Sequence, residues 1–527
     1  MISRRLFSAL AATIVLFAGA AQAASESNIQ HVLLISVDGL HALDVANYVQ
    51  GHPNSALAQL SRTGITYSNA RTPANSDSFP GLMALVTGGS PVTSGLFYDV
   101  SYSRDIFDPT NTTCSGGAGN TMVFDESIDV YNAQNVSLNV IDPTKLPRVL
   151  DHGACVPLWP HQAIRTNTIF EVVKAGGGHT AWADKHPAYD WVNGPSGTGV
   201  DDLFTPEITN APGLDATVSV VCTVENDDKK VQAILNEIHG LKHDGTPGPG
   251  VPAVFGMNFQ AVSVGQKLSK DNFDGSCADD TGVLNGQPGG YLDGAGTPSA
   301  VLNYGLERTD QALGKMIQAL KAQGLYESTL FIVSAKHGQS PINPVKVNKP
   351  EHFANLVAAL PDGGTNPAAL VIAGAAACST GPCGFVQDDD IALLWLPDQS
   401  QAPAVAAYLN ANANALFIDE VLAGNEIKLK FSDPNHDSRT PDILVQPIYG
   451  TIYTTSTKKN AEHGGFSFGD TNVGLIVSNP SLKAGVLKTP VATSQVAVTI
   501  LQALGLDPNA LKSVQVEKTV ELPGLPF

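Results

Sequence analysis

Positive charge is scarce in this chain. Lysine and arginine number 30 against 49 aspartates and glutamates, which gives a formal net charge of −19 at pH 7. The basic residues do not form the stripe that duplex nucleic acid requires, so binding of a duplex is not expected. Because an acidic surface repels anions, any affinity for an anionic substrate must come from a local site.

Long apolar runs are absent except at the N-terminus. Arg4 and Arg5 precede an apolar run at residues 6–20, and residues 21–23 (Ala-Gln-Ala) form a small-x-small cleavage site. The run is short for a bilayer, which argues against an anchoring helix. We therefore expect residues 1–23 to be a signal peptide. The mature protein is expected to be periplasmic or secreted, with no membrane span.

Cysteine is also scarce, and the Cys-x-x-Cys spacing is missing. This argues against a metal–thiolate cluster. The six cysteines of an exported protein fit three disulfides, but sequence alone does not fix their connectivity. Pairing of sequence neighbours would join Cys114 to Cys155, Cys222 to Cys277, and Cys378 to Cys383.

The chain does contain a regular alternation of strand-like and helix-like segments. Its composition, 43% hydrophobic and 15% charged, is that of a globular protein, and 527 residues can form one large domain with insertions. The alternation predicts an α/β fold with a mostly parallel sheet and helices on both faces. We expect one domain over residues 24–527. Insertions are predicted at about 100–165 and about 345–450, the second forming a small α/β cap.

Ser78 lies at the start of a predicted helix within residues 75–89. It precedes Phe79 and Pro80, and proline suits the first turn of a helix. Since a helix N-terminus favours an anion, Ser78 is a candidate nucleophile toward a bound phosphate or sulfate. The alternative is that Ser78 only caps the helix.

Ligand-type side chains lie next to predicted strands elsewhere in the chain. Asp38 ends one strand, His337 follows Lys336 at the end of another, and His463 precedes a third. Open α/β sheets place their ligands at the carboxyl ends of strands. Together with Ser78, the aspartate and the two histidines form a suitable oxygen and nitrogen set for one zinc-like ion.

These motifs resemble the alkaline phosphatase superfamily in its type I phosphodiesterase/nucleotide pyrophosphatase branch. The resemblance rests on motifs in family order, at residues 37–39, 78–80, 86–88, 336–338 and 463–464. It spans nearly the whole mature chain.

The resemblance implies roles for individual residues. It makes Ser78 the nucleophile and a metal ligand, and it makes Asp38, His337 and His463 ligands of the same metal. Asp99 stands where the family often has an asparagine that binds the phosphate. By this resemblance Asp99 is a substrate-binding candidate.

The sequence departs from the family at several ligand positions. Lys336 replaces the usual aspartate before His337, and Val262 and Gln266 stand where the family carries an aspartate and a histidine. A two-zinc centre is therefore not expected. We expect one divalent ion, zinc, with the Lys336 ammonium supplying the charge of the second ion.

A further polar segment follows a predicted strand at residues 178–187. It contains Asp184, Lys185 and His186, and it loosely resembles a sulfate-binding segment of sulfatases. Lys185 is a candidate for holding the substrate anion, and the two flanking residues could add metal ligands. An ordinary surface turn is the alternative.

Together these observations predict an exported, metal-dependent hydrolase of a small-molecule phosphate ester, a phosphodiesterase or nucleotide pyrophosphatase with a serine nucleophile. A sulfatase or phosphonate hydrolase of the same superfamily is one alternative. Leu82 stands where sulfatase maturation needs arginine, which argues against the sulfatase. A catalytically impaired binding protein is the other alternative, and the oligomeric state is left open.

Overall fold

The computed structural model describes residues 28–122, 128, 140–209, 215–272, 275, 277, 281–362, 367, 369–375 and 384–527. The predicted signal peptide and the predicted Cys378–Cys383 pair lie outside the described residues. In the described part, no helix combines the length and apolar character needed to cross a membrane.

The strands, in chain order, are β1 (His31–Val37), β2 (Gly64–Tyr67), β3 (Ala70–Arg71), β4 (Tyr102–Ser103), β5 (Asn120–Thr121), β6 (Arg148–Asp151), β7 (Ala154–Pro157), β8 (Thr180–Ala183), β9 (Asp202–Phe204), β10 (Val254–Phe259), β11 (Thr329–Ser334), β12 (Phe385–Asp388), β13 (Ala392–Trp395), β14 (Ile418–Ala423), β15 (Ile443–Pro447), β16 (Asn472–Val473), β17 (Ile476–Ser478), β18 (Gly485–Leu487) and β19 (Val491–Ala492).

The helices are α1 (Ala42–Gly51), α2 (Ala56–Arg62), α3 (Ser78–Thr87), α4 (Pro91–Ser94), α5 (Pro160–Ala163), α6 (Ile169–Ala175), α7 (Val220–Ile238), α8 (Ala261–Lys267), α9 (Ala300–Ala322), α10 (Phe353–Ala358), α11 (Ala369–Ala375), α12 (Ala402–Ala411), α13 (Phe468–Thr471), α14 (Gln495–Ala503) and α15 (Lys512–Glu517).

The main sheet has eight strands in the order β18-β2-β17-β11-β1-β10-β8-β9. All of its pairings are parallel except the two that β17 makes with β2 and β11. Every residue of β10 and β11 is buried, and alternate side chains of a strand point to opposite faces. Both faces of the sheet are therefore covered, as is usual for parallel strands. The predicted mixed α/β fold with a mostly parallel sheet is confirmed.

A second sheet is antiparallel, in the order β12-β13-β15-β14, and lies within the segment predicted as a cap. Its strand β13 packs in two directions, with the alternation expected of a strand. Leu394 packs in a cluster with residues of α10 and α12, whereas Leu393 and Trp395 pack with Phe97 and Tyr98 of the main body. The smaller sheet thus lies between its own helices and the segment that follows α3 and α4. The exact limits of both insertions stay a prediction.

Two disulfides join loops to neighbouring elements. Cys114 is bonded to Cys155 with Cα atoms 5.4 Å apart, and Cys222 on α7 is bonded to Cys277 at 5.3 Å. Both pairings were predicted from sequence neighbours, and both are confirmed. The second closes a segment that contains β10 and α8, and a covalent link of either kind restricts the unfolded chain.

Candidate active site

The parallel register brings several strand ends to one edge of the main sheet. Val37 of β1 pairs with Phe259 of β10, and Ser36 pairs with Ser334 of β11. The residues that follow these strands therefore lie close together, as the rule for open α/β sheets predicts. They include Asp38, Gln260 and Lys336, and the next strand of the sheet, β8, leads into Asp184 and Lys185.

Helix α3 positions Ser78, and Asp77 is its N-cap. The Asp77 side chain accepts a hydrogen bond from the backbone N–H of Phe79, so Ser78 is already inside the helix. The alternative that Ser78 only caps the helix is therefore wrong, and its hydroxyl is available for other contacts. Because Asp77 uses the first N–H groups, they are not directed at a bound anion. A Cβ on Gly81 would lie 1.9 Å from the Lys336 carbonyl oxygen, so glycine permits the close approach of α3 to the end of β11.

The Ser78 hydroxyl contacts an imidazole that can accept its proton. Its Oγ lies 3.3 Å from Nε2 of His337. Nδ1 of that ring lies 2.7 Å from the Gly338 carbonyl oxygen, which can only accept, so Nδ1 carries the hydrogen. Burial holds the pKa of His337 below its ordinary value, against the effect of Asp38. In the neutral ring Nε2 is the unprotonated nitrogen, and it faces the Ser78 hydroxyl at 3.3 Å and Oδ2 of Asp38 at 3.8 Å.

Lys185 is the ammonium that reaches Ser78. Its Nζ lies 3.4 Å from the Ser78 Oγ, 3.0 Å from Oδ2 of Asp38 and 2.8 Å from Oε1 of Gln260. Burial alone would raise the pKa of Asp38, but the charges of Lys185, Lys336 and His337 hold it well below its ordinary value. Asp38 is thus an anion, and Lys185 is held between that anion and the hydroxyl.

Lys336 is directed elsewhere. Its Nζ lies 2.9 and 3.0 Å from the two carboxylate oxygens of Asp184 and 3.9 Å from the centre of the Tyr189 ring. Both members of this ion pair are fully buried. Burial lowers the pKa of Lys336 to about 8, although Asp184 and Asp38 oppose the shift. The polar contacts of Lys336 are with Asp184 and not with Ser78.

His463 lies on the other side of His337, with the two ring centres 3.8 Å apart. Its Nε2 lies 3.3 Å from the ammonium of Lys267, and its Nδ1 lies 3.4 Å from Oδ1 of Asp77. Burial is the main reason that the pKa of His463 lies well below its ordinary value. Lys267 is itself paired with Glu462 at 2.9 Å.

Access to this cluster is narrow and one-sided. Asp38, Lys336 and His337 are fully buried, whereas Ser78 keeps 4% of its surface exposed and Lys185 keeps 5%. The residues that retain exposure must line the opening. Gln260 and His463 retain 7% and 6% exposure, so a substrate meets these two side chains together with Ser78 and Lys185.

The structure thus brings Asp38, Ser78, His337 and Lys185 together, with His463 stacked against His337. Asp99 lies partly exposed before β4, where its Oδ1 accepts a hydrogen bond from the backbone N–H of Val100 at 2.6 Å. The roles given to these residues in the sequence analysis stay predictions.

Several residues that contact the cluster were not singled out from the sequence, among them Gln260, Asp77 and Lys267. Gln260 directly follows β10, so the rule that identified Asp38 could have found it. Asp77 stands beside Ser78 at the helix start, where an N-cap is expected. Lys267, at the end of α8, carries no signal in the sequence that would connect it to His463.

The fold and the strand-end site define a hydrolase of phosphoric ester bonds. A sequence model of the type I phosphodiesterase/nucleotide pyrophosphatase family matches residues 32–137 and 291–467, which together exceed half of the chain. The chain belongs to this family, whose members are metal-dependent phosphodiesterases.

Solved structures with the same fold include two of the murine ectonucleotide pyrophosphatase/phosphodiesterase 5. One is an inactive variant in complex with AMP, at 15% identity and a TM-score of 0.52; the other is at 16% identity with the same score. Each comparison covers 91% of this chain and 96% of the murine chain. A search of curated proteins found no match.

The side chains at the site do not fit the two-ion centre that the family resemblance implies. Val262 carries no donor, and Gln266 donates from Nε2 to the Gly39 carbonyl oxygen and to the Tyr291 hydroxyl. The aspartate expected before His337 is a lysine. Over the part of the chain that the structure describes, no group of three or more His, Cys, Asp or Glu side chains is placed to hold a metal ion.

Proposed function

We propose that this protein hydrolyses small-molecule phosphodiesters or pyrophosphates through a covalent phosphoseryl intermediate on Ser78. The observation that carries the proposal is the position of the Ser78 Oγ, 3.3 Å from the unprotonated Nε2 of His337 and 3.4 Å from the Lys185 ammonium. A serine hydroxyl is a weak nucleophile unless an adjacent base accepts its proton. The preference for a diester follows from the family.

In the first step, the Ser78 Oγ attacks phosphorus while its proton passes to Nε2 of His337. The bond from Oγ to phosphorus forms, and the bond from phosphorus to the leaving oxygen breaks on the opposite side. The Lys185 ammonium lies beside the attacking oxygen, where it can stabilise negative charge on the adjacent phosphoryl oxygens. Phosphoryl transfer depends mainly on such positioning and charge stabilisation.

In the second step, water attacks the phosphoseryl group from the side that the leaving group vacated. Oγ then becomes the leaving atom and recovers its proton from the His337 imidazolium. The attacking water releases one proton to solvent, which balances the proton that the leaving-group oxygen takes up. His337 therefore serves as base in the first step and as acid in the second, as microscopic reversibility requires. The enzyme returns to its starting state with one phosphate monoester or phosphate released.

The divalent ion predicted from the sequence would be held by Asp38, Ser78, His337 and His463, and it would polarise a phosphoryl oxygen. Those donors do not fit it well, because the Lys185 ammonium already contacts both Asp38 and Ser78. No step above is routed through a metal.

The decisive experiment is identification of the phosphorylated residue. The full chain is mixed with bis-p-nitrophenyl phosphate, quenched in acid within the first turnovers and digested for mass spectrometry. We expect phosphate on the peptide that contains Ser78. Ser78→Ala should lose the adduct and lower kcat by about a thousandfold or more, with a nearly unchanged thermal midpoint.

Ser299→Ala is a matched control. Ser299 is buried and caps α9, so this variant should lose about 1 kcal/mol of stability and keep its activity. Normal turnover in Ser78→Ala would remove Ser78 as nucleophile. Turnover of p-nitrophenyl sulfate alone would favour the sulfatase, and no turnover of any ester would favour a binding protein.

We also infer that the protein is exported. The two disulfides support this inference, because such bonds persist in oxidising compartments. Cell fractionation with N-terminal sequencing of the purified protein tests it, and a mature chain that begins at Ala24 is the expected result.

A further inference from the structure

We propose that lysine ammonium groups take the places of the family's divalent ions, so that this site hydrolyses its substrate without a bound metal. Lys185 is the catalytic ammonium in this proposal. The inference rests on the proposed function of Ser78 as nucleophile, and its basis is the set of partners around each surviving ligand-type side chain.

On the Ser78 side, the Lys185 ammonium is surrounded by three oxygen acceptors. They are Oδ2 of Asp38 at 3.0 Å, Oε1 of Gln260 at 2.8 Å and Oγ of Ser78 at 3.4 Å. An ammonium has three N–H donors, so each acceptor can receive one hydrogen bond. A divalent ion bound to Asp38 and Ser78 would have to displace this cation or lie against a like charge.

On the His463 side, the imidazole lone pair also faces an ammonium. Nε2 of His463 lies 3.3 Å from Nζ of Lys267, which Glu462 holds in place at 2.9 Å. Neither Val262 nor Gln266 offers a carboxylate or an imidazole there. Of these family ligand positions for a second ion, only His463 keeps a ligand-type side chain, and its Nε2 is directed at a lysine.

Two ion pairs lie in the buried centre, beside the buried carboxyl group of Asp77. Asp38 is paired with Lys185, and Asp184 is paired with Lys336 at 2.9 Å. Buried charges persist when they are paired in this way, since an unpaired buried ion costs several kcal/mol. A divalent ion would bring two further positive charges next to the ammonium groups of these two pairs, in a site where Asp38, Asp184 and Lys336 are fully buried.

The same geometry explains how a lysine can serve the reaction. An ammonium is a compact charge with movable donors, and it stabilises developing charge on a phosphoryl oxygen without binding it covalently. It does not activate a bound hydroxyl as a Lewis acid does, so a separate base is required. His337 is that base, with Nε2 3.3 Å from Oγ.

The first test measures metal content and metal dependence of the full-length protein. We expect substoichiometric zinc by plasma mass spectrometry. Dialysis against EDTA or dipicolinate should leave hydrolysis of bis-p-nitrophenyl phosphate unchanged, and zinc chloride should not raise the thermal midpoint. Stoichiometric zinc that copurifies, with activity lost on chelation and restored by zinc, would overturn the proposal, since loss of an essential ion costs about a hundredfold or more.

The second test removes the ammonium itself. Lys185→Met keeps the length of the side chain without its charge, and kcat should fall by about a hundredfold or more. Lys185→Ala should recover part of its rate when methylammonium or ethylammonium is added, a response that a merely structural lysine would not give. Lys321→Met on α9, where Lys321 lies over the Tyr326 ring, is the matched control and should keep full activity.

The outcomes separate this inference from the proposed function. Phosphate trapped on Ser78 together with a requirement for zinc would overturn the ammonium proposal alone. Turnover that survives Ser78→Ala would overturn the proposed nucleophile, whatever the metal content. An unchanged rate in Lys185→Met, with an unchanged thermal midpoint, would also contradict the role of Lys185.

Discussion

Lys185 and Lys336 follow two strands of the main sheet, β8 and β11, and lie in one buried centre, but their surroundings differ. Lys336 is fully enclosed, with its ammonium on Asp184 and over the Tyr189 ring. Lys185 pairs with Asp38, but it also faces Ser78 and keeps 5% of its surface exposed. The comparison shows that two lysines of one buried centre are held differently, one by a carboxylate and an aromatic ring and the other between a carboxylate and a hydroxyl.

The two regions should therefore respond differently to loss of charge. The Lys185 region, defined by Lys185, Asp38 and Ser78, should lose rate. The Lys336 region, defined by Lys336, Asp184 and Tyr189, should lose stability. Three predictions on the stability side test this division, from the largest expected effect to the smallest.

Lys336→Met should reduce the free energy of unfolding by about 3–5 kcal/mol, because it leaves the Asp184 carboxylate buried without its cation. Urea denaturation of the variant and the wild type gives the difference. The double variant with Asp184→Asn should recover part of the loss, since neither charge then remains. A Lys336→Met protein as stable as the wild type but a hundredfold slower would reverse the roles assigned to the two lysines.

Glu237 tests a carboxyl group that has no cation. It is buried on α7 near the amino ends of β8 and β9, beside a cavity of about 310 Å³, and in the described structure neither of its oxygens has a hydrogen-bond partner. Burial, with a contribution from Asp202, raises the pKa of Glu237 well above the ordinary value of 4.5. Asp184 is paired with the Lys336 ammonium, whereas Glu237 forms no ion pair among the described residues.

A raised pKa in the folded state means that this group favours folding below its unfolded pKa, and the stability is lost as the pH rises through the folded pKa. Glu237→Gln should remove that loss. The thermal midpoint of Glu237→Gln should match that of the wild type near pH 4.5 and exceed it near pH 8. The expected gain in unfolding free energy at pH 8 is about 1–3 kcal/mol. A constant difference across this pH range would show that the titration of Glu237 is not responsible.

Arg308 and Asp228 provide the exposed counterpart of the buried pair. Their charged groups lie 3.0 Å apart, and the side chains are 33% and 36% exposed. Water and salt screen such a pair, so Arg308→Gln should change the unfolding free energy by less than about 1 kcal/mol. Urea denaturation at low and high salt checks this, and a loss as large as that of Lys336→Met would undermine the argument from burial.

The sequence by itself indicated the family and the mostly parallel sheet, and pairing of sequence neighbours predicted two disulfides that the structure contains. It also identified the strand ends that carry Asp38, Lys336 and His337. Apolar periodicity and short motifs are local features, so they can be recognised in the sequence alone. The start of α3 could also be predicted from a local feature, since Pro80 lies in the first turn of this helix.

Only the tertiary structure decided how the charges are paired. The sequence predicts that Lys336 supplies the charge of a second ion, because it adjoins His337. In the structure its ammonium is paired with Asp184, which follows a different strand. Lys185 takes the position beside Ser78 because Asp38 and Gln260 follow strands far away in the sequence. A buried ammonium pairs with the nearest buried carboxylate. The order and register of the strands decide which carboxylate is nearest, and no local motif encodes them.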